Sequence, residues 1–131
     1  MLINNAILDD LSARAAESER LRMNLDMRIS PEDNSQRMLN AMEPGTVLPI
    51  HRHRSSSETL IVLRGAVLHH IYDENGIEVE AIKLMPNSEN VGYDTPVGVW
   101  HRSESLKPGT VIFEAKDGKY EPLSEEDILK I

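Results

Sequence analysis

At residue 21 the hydrophobic period of this chain changes abruptly from helical to two, a pattern that calls for a helix laid against strands. Before the switch, Ile7, Leu8, Leu11 and Ala15 recur at helical spacing over residues 4 to 20, with Asn4 or Asn5 available as N-cap. The stripe they form is expected to pack on the outside of the strands that come after it. Past the switch, Leu21, Met23, Leu25, Met27 and Ile29 alternate with Arg22, Asn24, Asp26 and Arg28, as a half-buried strand does.

Ser30-Pro31-Glu32-Asp33-Asn34 reads as a loop, and a second strand over residues 35 to 42 ends at Glu43-Pro44-Gly45. Further strands are expected at 46 to 53, 58 to 64, 66 to 72, 77 to 84, 98 to 105 and 110 to 116. Asn75-Gly76 is the clearest hairpin turn, because both positions tolerate positive φ. Lys107-Pro108-Gly109 and Asp117-Gly118 mark two more turns. Ser124, placed before Glu125, Glu126 and Asp127, predicts the N-cap of a short C-terminal helix over 124 to 130. About eight short strands with so little helix predict a mainly β barrel or sandwich and not alternating βαβ units.

A chain of 131 residues with 40% hydrophobic content suits one core, hence one domain. There is no cysteine, so a disulfide framework and a thiolate site are both excluded, and a transition metal would have to be held by imidazole and carboxylate. The net charge of −8 repels phosphate polymers, and no basic stripe with interleaved aromatics offsets it, which argues against nucleic acid as a partner. The first twenty residues lack a basic leader with an apolar run, and no segment approaches the roughly 18 apolar residues of a membrane span. The expectation is a soluble, cytoplasmic protein with no membrane partner.

The chemistry is carried by three histidines and one glutamate. His51 and His53 on a strand would share a face with Cα atoms about 6.5 to 7 Å apart, close enough to converge on one ion. Glu58 opens the next expected strand after Arg54-Ser55-Ser56-Ser57, so a hairpin would return its carboxylate beside them. His101, in a later strand, supplies a third nitrogen. One oxygen with three borderline nitrogens suits one divalent transition metal ion, Fe, Mn, Ni, Co or Zn, and a six-coordinate ion would keep two positions open.

The spacing Gly45, five residues, His51, one residue, His53, four residues, Glu58, six residues, Gly65 resembles the first cupin motif at every position. Pro96, Gly98 and His101 resemble the core of the second motif, with its leading glycine displaced to Gly92 and Ser105 where asparagine is usual. More narrowly, the stretches LRMNLDMR, SQRMLNAMEPGTVLPIHRH, LIVLRG, GVWH and LKPGTVIFEAKDGKY resemble the WbuC-type cupin fold metalloproteins across nearly the whole chain. The resemblance implies a single cupin jelly-roll β-barrel over residues 21–131, with the helix of residues 1–20 packed on it and the metal inside. It also implies an association with bacterial surface-polysaccharide or O-antigen gene clusters, and brings no established reaction.

Several side chains keep two readings at this point. His69 and His70 must face opposite ways on a strand, one exposed and one packed. Arg52 and Arg102, adjacent to ligands, fit surface or subunit contacts, while Arg54 at the barrel lip is placed to reach an anionic group. Trp100 is expected to point outward under the N-terminal helix or a partner subunit. Glu114 and Lys116 share one face of the last strand, either as a solvated pair or as the acid and base of a cavity. Gln36, Met38 and Asn40 carry the same ambiguity, and Met23, Met27, Met38 and Met42 are read as core.

The expected ligand is a small molecule, sugar-like or a nucleotide-sugar, bound at the metal with Glu114 and Lys116 as catalytic residues of an isomerase or epimerase-like enzyme. Fe(II)-dependent dioxygenase chemistry is an alternative, as is a non-catalytic metabolite-binding module. A homodimer is expected by analogy with other small cupin barrels.

Overall fold

The computed structural model describes residues 1–130. Helix α1, Asn5–Glu17, starts where the side chain of Asn4 accepts a hydrogen bond from the Ile7 amide at 3.1 Å. It buries Leu8, Leu11 and Ala15, the stripe read from the sequence. Eight strands come next: β1 Arg22–Asp26, β2 Ser35–Met42, β3 Glu58–Arg64, β4 Val67–Tyr72, β5 Glu78–Leu84, β6 Gly92–Thr95, β7 Trp100–Ser105 and β8 Thr110–Asp117. They form two antiparallel sheets, one in the order β1-β2-β8-β3-β6 and one in the order β5-β4-β7.

Alternation along the strands separates the faces of the larger sheet. Leu39, Ala41 and Val111 face α1 and form a core with Leu8, Leu11 and Ala15. The opposite face contributes Met42, Leu60, Val62 and Ile112, which pack against Val67 of β4 and Leu84 of β5 and so join the two sheets. This inner layer is apolar at one end and polar at the other: β8 runs from Ile112 to Glu114 and Lys116, while β3 runs from Val62 back to Glu58. The site occupies the polar end. Gly65 marks the apolar end, because at φ +76 it passes so close to Thr110 that a Cβ would lie 2.3 Å from the hydroxyl oxygen.

Four expectations are corrected. Residues 46 to 53 are not a strand: only His51 makes isolated bridges, to His101 and to Ile128. The C-terminal helix over 124 to 130 is a short 3-10 turn, Glu125–Asp127, because the Ser124 hydroxyl bonds the Asp127 carboxylate instead of capping the backbone. The chain beyond is then drawn out flat, with the Leu129 amide donating to the Ile50 carbonyl at 2.8 Å. In the β4–β5 hairpin only Gly76 takes positive φ, and the Asp73 carboxylate organises the turn by accepting from the amides of Asn75 and Ile77. Finally, Trp100 packs with Ile50, Tyr72 and Leu129, under the C-terminal segment and not under α1. No helix among the described residues is long and apolar enough to cross a membrane.

Candidate metal centre

Three segments deliver the ligand-type side chains: the connection between β2 and β3, which carries His51 and His53, then β3 and β7. His51 is held by a two-way backbone bridge to His101, its amide donating to the His101 carbonyl at 3.0 Å and its carbonyl accepting at 2.8 Å. The His53 carbonyl accepts from the Gly98 amide at 2.8 Å, and Gly98 adopts φ +78, a conformation that favours glycine in this turn. Glu58 is the first residue of β3 and His101 the second of β7. One donor atom from each of His51, His53, Glu58 and His101 falls within 4.8 Å of the others.

The hydrogen bonding prepares these groups for a cation. The Nδ1 atoms of His51 and His101 lie 3.0 and 2.9 Å from the carbonyls of Pro49 and Val99. A carbonyl only accepts, so each Nδ1 carries the proton and each Nε2 presents its lone pair. Burial, then the neighbouring His101, lowers the His51 pKa to about 4, which keeps its imidazole neutral at neutral pH. His53 Nε2 and His101 Nε2 are buried with no hydrogen-bond partner. They stand 3.1 and 3.6 Å from the Glu58 carboxylate oxygens, outside hydrogen-bond geometry in both cases. Burial acts to raise the Glu58 pKa, and the Lys116 ammonium beside it acts to lower it and favours the ionised carboxylate. Buried, unpartnered nitrogens facing an ionised carboxylate are costly without a cation between them, so the donor set fits a divalent metal ion.

Glu114 and Lys116 both face this centre. Register places Lys116 opposite Glu58 and Glu114 opposite Leu60 on the inner face, and Lys116 Nζ lies 3.5 Å from a Glu58 oxygen. Burial, then the charge of Glu58, raises the Glu114 pKa to about 7, against the pull of Lys116, an Asn40 hydrogen bond and His101. A cavity of about 310 Å³ joins these groups; its lining includes the four ligand-type residues, Glu114, Lys116, Asn40 and Ser103. Gln36 is buried on the same face and bonds the Gly118 carbonyl at 2.8 Å instead.

His69 and His70 do face opposite ways, but neither is exposed. His69 sits behind His101 with ring centroids 5.7 Å apart, its nitrogens 2.9 Å from the Ser103 hydroxyl and 3.0 Å from the Thr95 hydroxyl, and burial lowers its pKa to about 4. His70 lies on the outer face between the carboxylates of Glu78 and Glu104. Arg54 reaches no free anion, since Asp127 and Glu126 occupy its guanidinium. Arg52 also bonds Asp127 and lies over the Trp100 ring at 4.4 Å, while Arg102 bonds the Tyr72 hydroxyl. The Arg52 and Arg54 pairs tie down the C-terminal segment as a strap, whose Tyr120, Glu121 and Leu123 line the cavity. No periodicity in Lys119-Tyr120-Glu121-Pro122-Leu123 pointed to them. Arg22 also lines the cavity, although strand alternation marked it only as a polar position.

Comparison with known proteins agrees with this architecture. The model of the family described as "Domain of unknown function (DUF6016)" matches residues 3–84. No curated protein matches the chain by sequence. The structure of KdgF from Halomonas sp. superposes with a TM-score of 0.61 at 16% identity, covering 76% of this chain and 82% of that one. The capsular polysaccharide assembling protein CapF from Staphylococcus aureus gives 0.59 at 23% identity, covering 76% of this chain and 27% of its own. Oxalate decarboxylase from Bacillus subtilis, described for its Mn(II) centres, gives 0.59 at 19% identity, covering 84% of this chain and 28% of that one. The chain therefore spans less than a third of the length of the latter two. Identities this low carry the fold alone, and that fold is the cupin fold.

Proposed function

The chain belongs to the family described as Domain of unknown function (DUF6016), and from that premise we propose that it is a WbuC-type, metal-dependent cupin that moves protons on a small sugar-like molecule. The observation that carries the reading is the pairing, within one cavity, of a metal-capable donor set with a buried carboxyl whose pKa is raised to about 7. A divalent ion held by His51, His53, Glu58 and His101 would supply Lewis-acid polarisation of substrate oxygens. Glu114 is the residue that takes or returns the proton on its carboxyl oxygen, since a group titrating near neutrality can serve in either state. Lys116 holds Glu58 in place and offers its ammonium group to the same space. Asn40 and Ser103 orient substrate hydroxyls, and the strap residues restrict water. Proton removal and return on one substrate leaves its composition unchanged, the bookkeeping of an isomerase or epimerase.

A role in bacterial surface-polysaccharide metabolism draws support from the motif stretches and from the likeness to CapF, a capsular polysaccharide assembling protein. In this reading residues 21–131 form one domain carrying the N-terminal helix, and homodimers form through the edge strand β1. The test is solvent deuterium uptake into candidate sugar intermediates, read by mass spectrometry. The metal-loaded protein should label a substrate, and Glu114→Gln should lower the rate by about a hundredfold or more with metal content intact. Oxygen consumption without deuterium uptake would replace this reading with that of a dioxygenase.

A further inference from the structure

We propose that Arg22 is the anion-binding residue of the cavity, and that the ligand is a small hydroxy acid whose carboxylate seats on its guanidinium while its hydroxyl oxygens reach the metal centre. This rests on the reading of the cavity as a metal-dependent site. Of the nine arginines, six pair with a carboxylate of the chain; of the other three, Arg20, Arg22 and Arg102, Arg22 alone is in the lining of this cavity. In a chain with 22 acidic residues against 14 lysines and arginines, such partners are plentiful. Arg22 lines the cavity, yet its guanidinium makes one hydrogen bond, to the Val47 carbonyl at 3.2 Å, and no ion pair among the described residues. Most of its five N–H donors are therefore open to a ligand, in the forked arrangement that matches a carboxylate.

The backbone holds Arg22 there at a cost. Leu21, immediately before it, adopts φ +57, a left-handed conformation unfavourable for a leucine. Three hydrogen bonds lock this corner: the Leu21 amide donates to Ser18, and the Leu21 carbonyl accepts from the Glu43 amide and the Thr46 hydroxyl. Gly45 passes beneath, where a Cβ would lie 3.3 Å from the Leu21 side chain. A strained residue fixed from several sides sets the backbone from which Arg22 reaches the cavity, which a simple helix-to-strand corner does not require.

Charge and size narrow the ligand. Glu114 and Glu121 line the same cavity and Lys116 is engaged with Glu58, so the Arg22 guanidinium is the side-chain cation left to meet a ligand's carboxylate. A volume of about 310 Å³ stands at the small end of ligand pockets, which favours a small molecule. The class is then a monocarboxylate with neighbouring hydroxyls, narrower than sugars at large.

Calorimetric titration of the metal-loaded protein with gluconate, glucose and glucose 6-phosphate tests this. The wild type should prefer gluconate. Arg22→Gln should weaken gluconate by roughly ten- to a hundredfold and leave glucose unchanged, and Arg22→Lys, which keeps the charge and loses the fork, should fall between. Metal content and the circular dichroism melt, measured on the same samples, separate the outcomes. Absence of bound metal in the wild type overturns the parent reading. With metal bound, no gluconate binding, equal binding of gluconate and glucose, unchanged affinity in Arg22→Gln, or an Arg22-dependent preference for glucose 6-phosphate overturns this one.

Discussion

Replacing Gly65 by alanine tests the packing of the apolar end of the inner layer, and its cost can be assembled from two parts. At φ +76 the new methyl group forces a left-handed conformation that disfavours L-residues by about 1–2 kcal/mol. The methyl would also meet Thr110, at 2.3 Å from its hydroxyl oxygen and 2.8 Å from its Cα. Backbone cannot swing aside as a side-chain tip can. Thr110 is fully buried and its hydroxyl donates to the Lys107 carbonyl at 2.7 Å, so moving it disturbs the turn that starts β8. Overpacking of this kind costs about 1–3 kcal/mol, and the sum is about 2–5 kcal/mol. Gly109→Ala supplies the comparison, because Gly109 shares φ +76 but has nothing within 4 Å of the new Cβ. Both variants stiffen the unfolded chain alike, so the difference between them isolates the collision with Thr110. Equilibrium unfolding in urea at unchanged m-value should show Gly65→Ala less stable than Gly109→Ala by about 1–3 kcal/mol. Equal destabilisation of the two, or a Gly65→Ala variant as stable as the wild type, would refute the reasoning.

Helix α1 and the C-terminal strap give two further outcomes. Leu11, at 0% exposure the most enclosed leucine of the α1 stripe, should cost about 2–5 kcal/mol as Leu11→Ala in urea unfolding, and a loss under about 1 kcal/mol would mean that the helix is not part of the cooperative core. The strap depends on Asp127, whose pKa the hydrogen bond from Arg54 lowers against a smaller opposing effect of burial; the stabilisation is complete above the ordinary carboxylate range and disappears as pH falls through the depressed pKa. The protection factor of the Leu129 amide should therefore fall in acid before those of β2 and β8, and Asp127→Asn should bring the lowered protection to neutral pH; protection unchanged by the substitution would show that the ion pairs do not hold the strap.

The parts of the fold that were readable in the sequence are those where local pattern and tertiary contact agree. The α1 stripe has a single periodicity and a single burial partner, and turn signals on both sides delimited the strand Ser35–Met42. The convergence of His51 and His53 was reached from strand geometry that the chain does not have. It arises because His51 pairs with His101 across the chain and Gly98 grips the His53 carbonyl, contacts between segments some fifty residues apart or nearly so. Parity showed that Glu114 and Lys116 agree with each other, and only pairing with Leu60 and Glu58 decides that they face inward. Strand β6 leaves little trace in the sequence because Gly-Tyr-Asp-Thr is short and has two poor strand formers. Gly92 is there so that the backbone can approach the Leu60 carbonyl, from which a Cβ would be 2.3 Å away. At the C-terminus the Ser124-Glu-Glu-Asp signal was real, but Arg52 and Arg54 compete for Asp127, and the bridge of Ile128 to His51 wins over another turn of helix.

The convergence of three imidazoles and one carboxylate on a common point is tested most directly by titrating metal-free protein with Mn(II) in a calorimeter, with His101→Ala alongside. The expected result is a single saturable site per chain, weakened by at least about a hundredfold in the variant while its far-ultraviolet spectrum stays that of the wild type. Absence of saturable binding, or equal binding by the variant, would contradict it.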